Sequence, residues 1–156
     1  MPIELEFTHD GLGVIYQCEG SLGLQHFADA NSRLLTSPDR IKKLKYVIVH
    51  GNSMEPQYFS VTQMEGIILQ DRHIASYAVE GLLVALVAEQ STVLGLARMW
   101  EAFVEGIGWE TKIFPSLAEA ETWVRARVKA KFKLDITQFT AEKQTSSGSP
   151  NATDGD

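Results

Sequence analysis

Hydrophobic and polar positions change period several times along the chain, and each change marks an element. Ile3, Leu5 and Phe7 alternate with Glu4, Glu6 and Thr8, the period of two expected of a strand with one solvated face. His9-Asp10-Gly11 supplies a turn and Leu12 to Cys18 reads as a second strand, so the pair predicts an antiparallel hairpin that Gly20-Ser21 brings to an end. Leu24, Phe27, Ala28, Leu34 and Leu35 then recur at helical spacing until Ser37-Pro38 stops the helix. Tyr46-Val47-Ile48-Val49 is a short, β-branched apolar run, as expected for a central strand covered on both faces. A loop is expected from His50 to Phe59, after which Ser60-x-x-Gln63 opens a strongly periodic helix. That helix carries Val61, Met64, Ile67, Ile68, Ile74, Ala75 and Ala78 on one side. Glu65, Gln70, Asp71 and Arg72 are expected mainly on the other, with Gly81 as the terminator.

The second half repeats the alternation. Leu82 to Ala88 is a buried-strand candidate, and Ser91 or Thr92 caps a helix whose apolar side is Val93, Leu96, Ala97, Trp100, Phe103 and Val104. Gly106 and Gly108 close it. Trp109 to Phe114 forms the last strand, and Ser116-Leu117-Ala118-Glu119 is a capping box that starts a helix with Ala120, Val124 and Val128 in its stripe. The order β-β-α-β-α-β-α-β-α predicts an α/β fold with a mixed, mostly parallel sheet, an N-terminal hairpin, and helices packed on the sheet. Residues 1–134 are expected to form one domain. From residue 135 the apolar periodicity fades, and a polar, disordered tail is expected to residue 156.

Composition narrows the functional classes. The chain has 156 residues, 44% of them hydrophobic and 22% charged, the balance of a soluble globular domain. A formal net charge of −6 argues against phosphate-backbone binding, so no nucleic-acid partner is expected. Arg125, Arg127, Lys129, Lys131 and Lys133 instead complement the negative end of the last helix. With one cysteine, Cys18, neither an internal disulfide nor a zinc site made of cysteine pairs can form. No apolar run approaches the roughly 18 residues of a membrane span, and no signal peptide is evident. A cytoplasmic location is expected.

The element order, together with Trp109-Glu-Thr-Lys-Ile-Phe-Pro-Ser-Leu-Ala-Glu-Ala-Glu-Thr-Trp-Val124, resembles the STAS superfamily. The nearest branch is the SpoIIAA-like group of small bacterial proteins related to anti-sigma-factor antagonists. The matching residues are Phe114 at the end of the last strand, Glu119, Ala120 and Trp123 in the following helix, and Arg98-Met99-Trp100 in the helix before. The similarity runs from about Ile3 to Phe132. In anti-sigma-factor antagonists a switch serine or threonine stands at the start of the helix after the central strand. Laid on this chain, that motif falls on Ser60-Val61-Thr62-Gln63, with Thr62 in the place of the phosphorylated hydroxyl. Ser60 replaces the motif's aspartate and Gln63 its glycine. The resemblance implies a regulatory, protein-interaction role rather than an enzyme.

Each candidate residue also has a plain structural account. Ser60 is a sound N-cap, worth about 0.5–2 kcal/mol. Thr62 in a first helical turn would place an added phosphate at the positive end of the helix. His50 lies at the expected carboxyl end of the central strand, where ligands approach open sheets, but no metal-ligand spacing surrounds it; an uncharacterised enzyme using His50 is the remote alternative. His9, His26 and His73 are expected on the surface, and Cys18 as a small apolar strand residue. There is no phosphate loop, nucleophile elbow or His-Glu-x-x-His motif. No catalytic residue, cofactor or metal is therefore assigned. Two roles remain. One is contact with a protein partner, or a second copy in a homodimer, through His50, Asn52, Tyr58, Phe59, Ser60 and Thr62. The other is carriage or sensing of a small apolar or acyl ligand near Met54, Met64 and Trp100, as in folds related to the STAS group.

Overall fold

Five strands form one sheet in the order β1-β2-β3-β4-β5 in the computed structural model, which describes residues 2–137 and Phe139. β1 (Ile3–Thr8) pairs antiparallel with β2 (Gly13–Leu22), while β3 (Tyr46–Pro56), β4 (Leu83–Val87) and β5 (Glu110–Phe114) follow in parallel. α1 (Leu24–Leu35), α3 (Val61–Tyr77) and α4 (Ser91–Phe103) pack on one face of the sheet, and α5 (Leu117–Phe132) packs on the other. Alternation along the strands divides the core between the two sides. Val14, Tyr16, Cys18, Val47, Val84 and Leu86 face the three helices, whereas Ile15, Tyr46, Ile48, Leu83 and Ala85 face α5. β3 lies in the middle of the sheet, as its uninterrupted apolar run predicts.

The structure differs from the sequence expectation at several points. A short helix, α2 (Pro38–Lys43), follows α1, because Pro38 occupies the first turn of a new helix, where its missing N–H costs nothing. The expected loop from His50 is strand as far as Pro56. β2 itself runs on to Leu22, and past a register shift between Gln17 and Glu19 its backbone pairs Glu19 with Ser53 and Leu22 with Pro56. The backbone ladder holds this largely polar stretch, with Leu22 and Met54 as its buried side chains. α3 ends at Tyr77, and Gly81, at φ +79°, sits in the turn beyond it. Asp71 is not on the solvent side of α3 but buried.

His9 is likewise buried rather than superficial. Its Nε2 donates to the Thr137 carbonyl at 2.8 Å, and its Nδ1 lies 2.8 Å from the Tyr46 hydroxyl, which also meets Thr8 Oγ1. The Tyr46 ring lies flat against Gly13, where any Cβ would come within 1.8 Å of Tyr46 Cζ. Of the segment expected as a tail from residue 135, residues 135–137 and Phe139 are described. Ile136 packs under the α5 side, and the Phe139 ring meets His9 and Tyr46 edge-on at centroid distances of 4.8 and 5.7 Å. The remainder of that expectation lies outside the described residues.

Candidate functional site

A cavity of about 120 Å³ lies between the sheet and the three-helix layer. β2, β3, β4, α1, α3 and α4 all contribute to its wall, and the three residues expected at a ligand pocket, Met54, Met64 and Trp100, are brought together there. Their elements explain the convergence. Met54 points inward from the polar extension of β3, Met64 begins the buried stripe of α3, and the half-buried Trp100 lies seven residues, about two turns, after the buried Val93 of α4.

Three polar side chains missing from the sequence-based set, Tyr16, Asn31 and Asp71, join Trp100 in this wall as a continuous hydrogen-bonded row. Tyr16 donates to Asn31 Oδ1 at 2.7 Å, Asn31 Nδ2 donates to Asp71 Oδ1 at 3.2 Å, and Trp100 Nε1 donates to Asp71 Oδ2 at 2.8 Å. Asp71 is 5% exposed. Burial pushes its carboxyl up to about 7, against the donated hydrogen bonds from Trp100 and Asn31, which favour the charged form. Burial first, and the negative charge of Asp71 second, push the Tyr16 hydroxyl far above its ordinary value. Burial raises the Cys18 thiol to about 12, so it packs as an apolar side chain and is not a thiolate at neutral pH. The signal for Asp71 was in the sequence: it stands four residues after Ile67 and three before Ile74, on the apolar stripe itself. Asn31 has the same position on α1, seven after Leu24 and three before Leu34. A polar residue in register with a core stripe is the mark of an interior polar site.

The other expected site residues separate into two places. His50 faces the α5 side of the sheet, where its Nδ1 lies 3.0 Å from Gln17 Oε1, and Gln17 in turn donates to Glu6. Asn52 bridges the strand ends beyond β4: its Oδ1 accepts from the Glu89 N–H and its Nδ2 donates to the Pro115 carbonyl, both at 2.9 Å. Tyr58, Ser60 and Thr62 instead lie at the mouth of α3. Ser60 and Gln63 form the full capping box, with Gln63 N–H donating to Ser60 Oγ at 3.1 Å and Ser60 N–H donating to Gln63 Oε1 at 2.9 Å. Phe59 is half-buried against Met64 and its neighbours, while Thr62 is exposed. The exposed large apolar side chains Tyr58 (91%), Val61 (57%) and Leu69 (66%) lie just before α3 and on its first two and a half turns. Among the described residues, no three His, Cys, Asp or Glu side chains gather to hold a metal ion, and no helix is long and apolar enough to cross a membrane.

An antiparallel β1-β2 pair opening a parallel sheet, with helices on both faces, defines a SpoIIAA-like fold. A solved structure agrees. The chain is similar to an uncharacterised DUF3478-family protein of SpoIIAA-like fold from Shewanella loihica PV-4, with 15% identity over 78% of this chain and 91% of that one, at a TM-score of 0.52. It is also similar to the Bacillus cell fate determinant SpoIIAA in its phosphorylated form, with 14% identity over 79% of this chain and 99% of that one, at a TM-score of 0.48. No family model matches the chain, and no curated protein matches it in sequence.

Proposed function

We propose that the protein is a non-enzymatic regulatory domain that acts by contact with a protein partner, or with its own copy, at the mouth of α3. The observation that supports this reading is the exposure of three large apolar side chains, Tyr58, Val61 and Leu69, on and just before the helix that carries Thr62, since apolar surface there favours an interface. Gly66 adds to it. It lies inside α3 between Thr62 and Leu69, and a Cβ there would meet nothing within 4 Å. A glycine in a helix interior costs about 0.5–1 kcal/mol relative to alanine, and the fold's own packing gives no reason for it. A partner approaching the bare helix does. Phosphate on Thr62 would alter that surface by adding negative charge at the helix start. The test is photo-crosslinking from position 69, with position 125 on α5 as control. A partner captured from 69 alone and lost in Thr62→Glu supports the reading, and equal capture from both sites, or none, removes it.

The cavity favours a second reading, carriage or sensing of a small apolar ligand between the sheet and α1, α3 and α4. Native mass spectrometry of gently purified protein, with thermal shifts on adding small apolar molecules, tests it. A chain that is empty and unmoved by every such molecule speaks against it.

A further inference from the structure

We propose that the cavity binds a compact organic ammonium ion, an apolar body close to one benzene ring in bulk whose protonated nitrogen docks on Asp71. The proposal rests on the ligand-binding reading above and narrows it. Size comes first. The cavity measures about 120 Å³, and a dry apolar cavity of about 150 Å³ accommodates benzene. A long acyl chain does not fit that space.

Charge decides the head group. The cavity wall contains Asp71 and no lysine, arginine or histidine. Among the described residues no cationic side chain pairs with this carboxylate, whose two oxygens accept from the neutral donors Asn31 and Trp100. A buried carboxylate without a counter-ion is costly, and a ligand cation removes that cost. The carboxylate of a fatty acid would be repelled. Aromatic rings give an independent argument. Tyr16, Phe27, Trp100 and Trp109 all line the cavity, with the two indole rings 6.3 Å apart between centroids. Ring faces attract ammonium groups, and aromatic surfaces closing on a cation are a recurrent way of recognising them. A carboxylate set among aromatic rings in an apolar space therefore selects an amine.

The test titrates the full chain with benzylammonium, benzyl alcohol, toluene and benzoate as probes of matched bulk. It is run at about pH 8, where the Asp71 carboxyl is ionised. Binding is followed by calorimetry and by the NMR resonance of the Trp100 indole N–H, which reports the Asp71 contact directly. Benzylammonium should bind at least about tenfold more tightly than the other three, the gain of a charge-assisted hydrogen bond, and should shift the Trp100 resonance. In Asp71→Asn that preference should disappear while toluene still binds. The wild-type series decides the matter even where the variant folds poorly. Toluene, benzyl alcohol or benzoate binding as tightly as benzylammonium overturns the ammonium assignment and leaves the apolar-ligand reading standing. Saturation by none of the four overturns both.

Discussion

The two faces of the sheet are finished differently. Under α5, Ala120, Val124 and Val128 lie fully buried on Ile15, Tyr46, Ile48, Leu83 and Ala85, and the hydroxyl of Tyr46 is held by Thr8 and His9. One long helix and the segment after it close that side. On the opposite side three helices share the cover and leave a cavity, with a carboxyl in its wall. Close packing and hydrogen bonding maximise stability on the first face. The second gives some of that up, through void space and a buried carboxyl, and the proposed ligand site rests on that difference.

The comparison can be broken by substitution. The largest effect is expected from Tyr46→Ala, which empties a fully buried position and strands Thr8 and His9. It should lower stability by about 3–5 kcal/mol, read from chemical denaturation. A loss under about 1 kcal/mol would mean the α5 face is not tightly packed.

Asp71 should give the cavity face a pH signature of its own. Its carboxyl titrates near 7 when folded and near the ordinary aspartate value of 3.8 when unfolded, so the folded chain holds the proton more tightly. The corresponding stability is present in full below about pH 4 and is lost as pH rises towards 7, because unfolding releases the proton in that window. The groups facing Asp71 are Tyr16 from β2, Asn31 from α1 and Trp100 from α4, all uncharged across this range. The stability of wild type relative to Asp71→Asn should therefore fall by on the order of 4 kcal/mol between pH 4 and 8, with the variant the less pH-sensitive. Parallel stability–pH curves would show that Asp71 is not held protonated by burial.

Two enlargements sharpen the contrast. Ala120→Leu has no room under α5 and should cost about 1–3 kcal/mol. Ala97→Leu grows into the cavity and should change stability by less than about 0.5 kcal/mol. Equal melting-temperature losses would erase the distinction between the faces. The smallest effect belongs to the exposed rim. Ser60→Ala removes a cap and should cost about 1 kcal/mol, whereas Thr62→Ala, whose hydroxyl makes no cap bond, should be nearly neutral in the same melting assay. A Thr62 effect as large as that of Ser60 would show that its hydroxyl is structural.

Much of this architecture is legible along the chain because it rests on periodicity. Alternation marks β1, the apolar runs mark the centre of β3 and β4, and Ser60 and Ser116 announce their helices through side chains that reach only three residues ahead. The end of β3 was not legible, since Gly51 to Pro56 is held by pairing with residues more than thirty positions earlier. Nor was the division of the expected site, because His50 and Met54 lie within one strand yet serve opposite faces.

By itself, then, the sequence determined the alternation of strands and helices, the central place of Tyr46–Val49, the Ser60 and Ser116 caps, and the apolar character of Met54, Met64 and Trp100; the cap expected at Ser91 or Thr92 falls instead at Gln90, with no side-chain bond. Only the tertiary structure decided that Tyr16, Asn31, Asp71 and Trp100 form one row. Each comes from a different element, and hydrogen bonds between them exist only once four separate segments have packed. The cavity is of the same kind. A void belongs to no residue, and arises from how three helices settle on a twisted sheet.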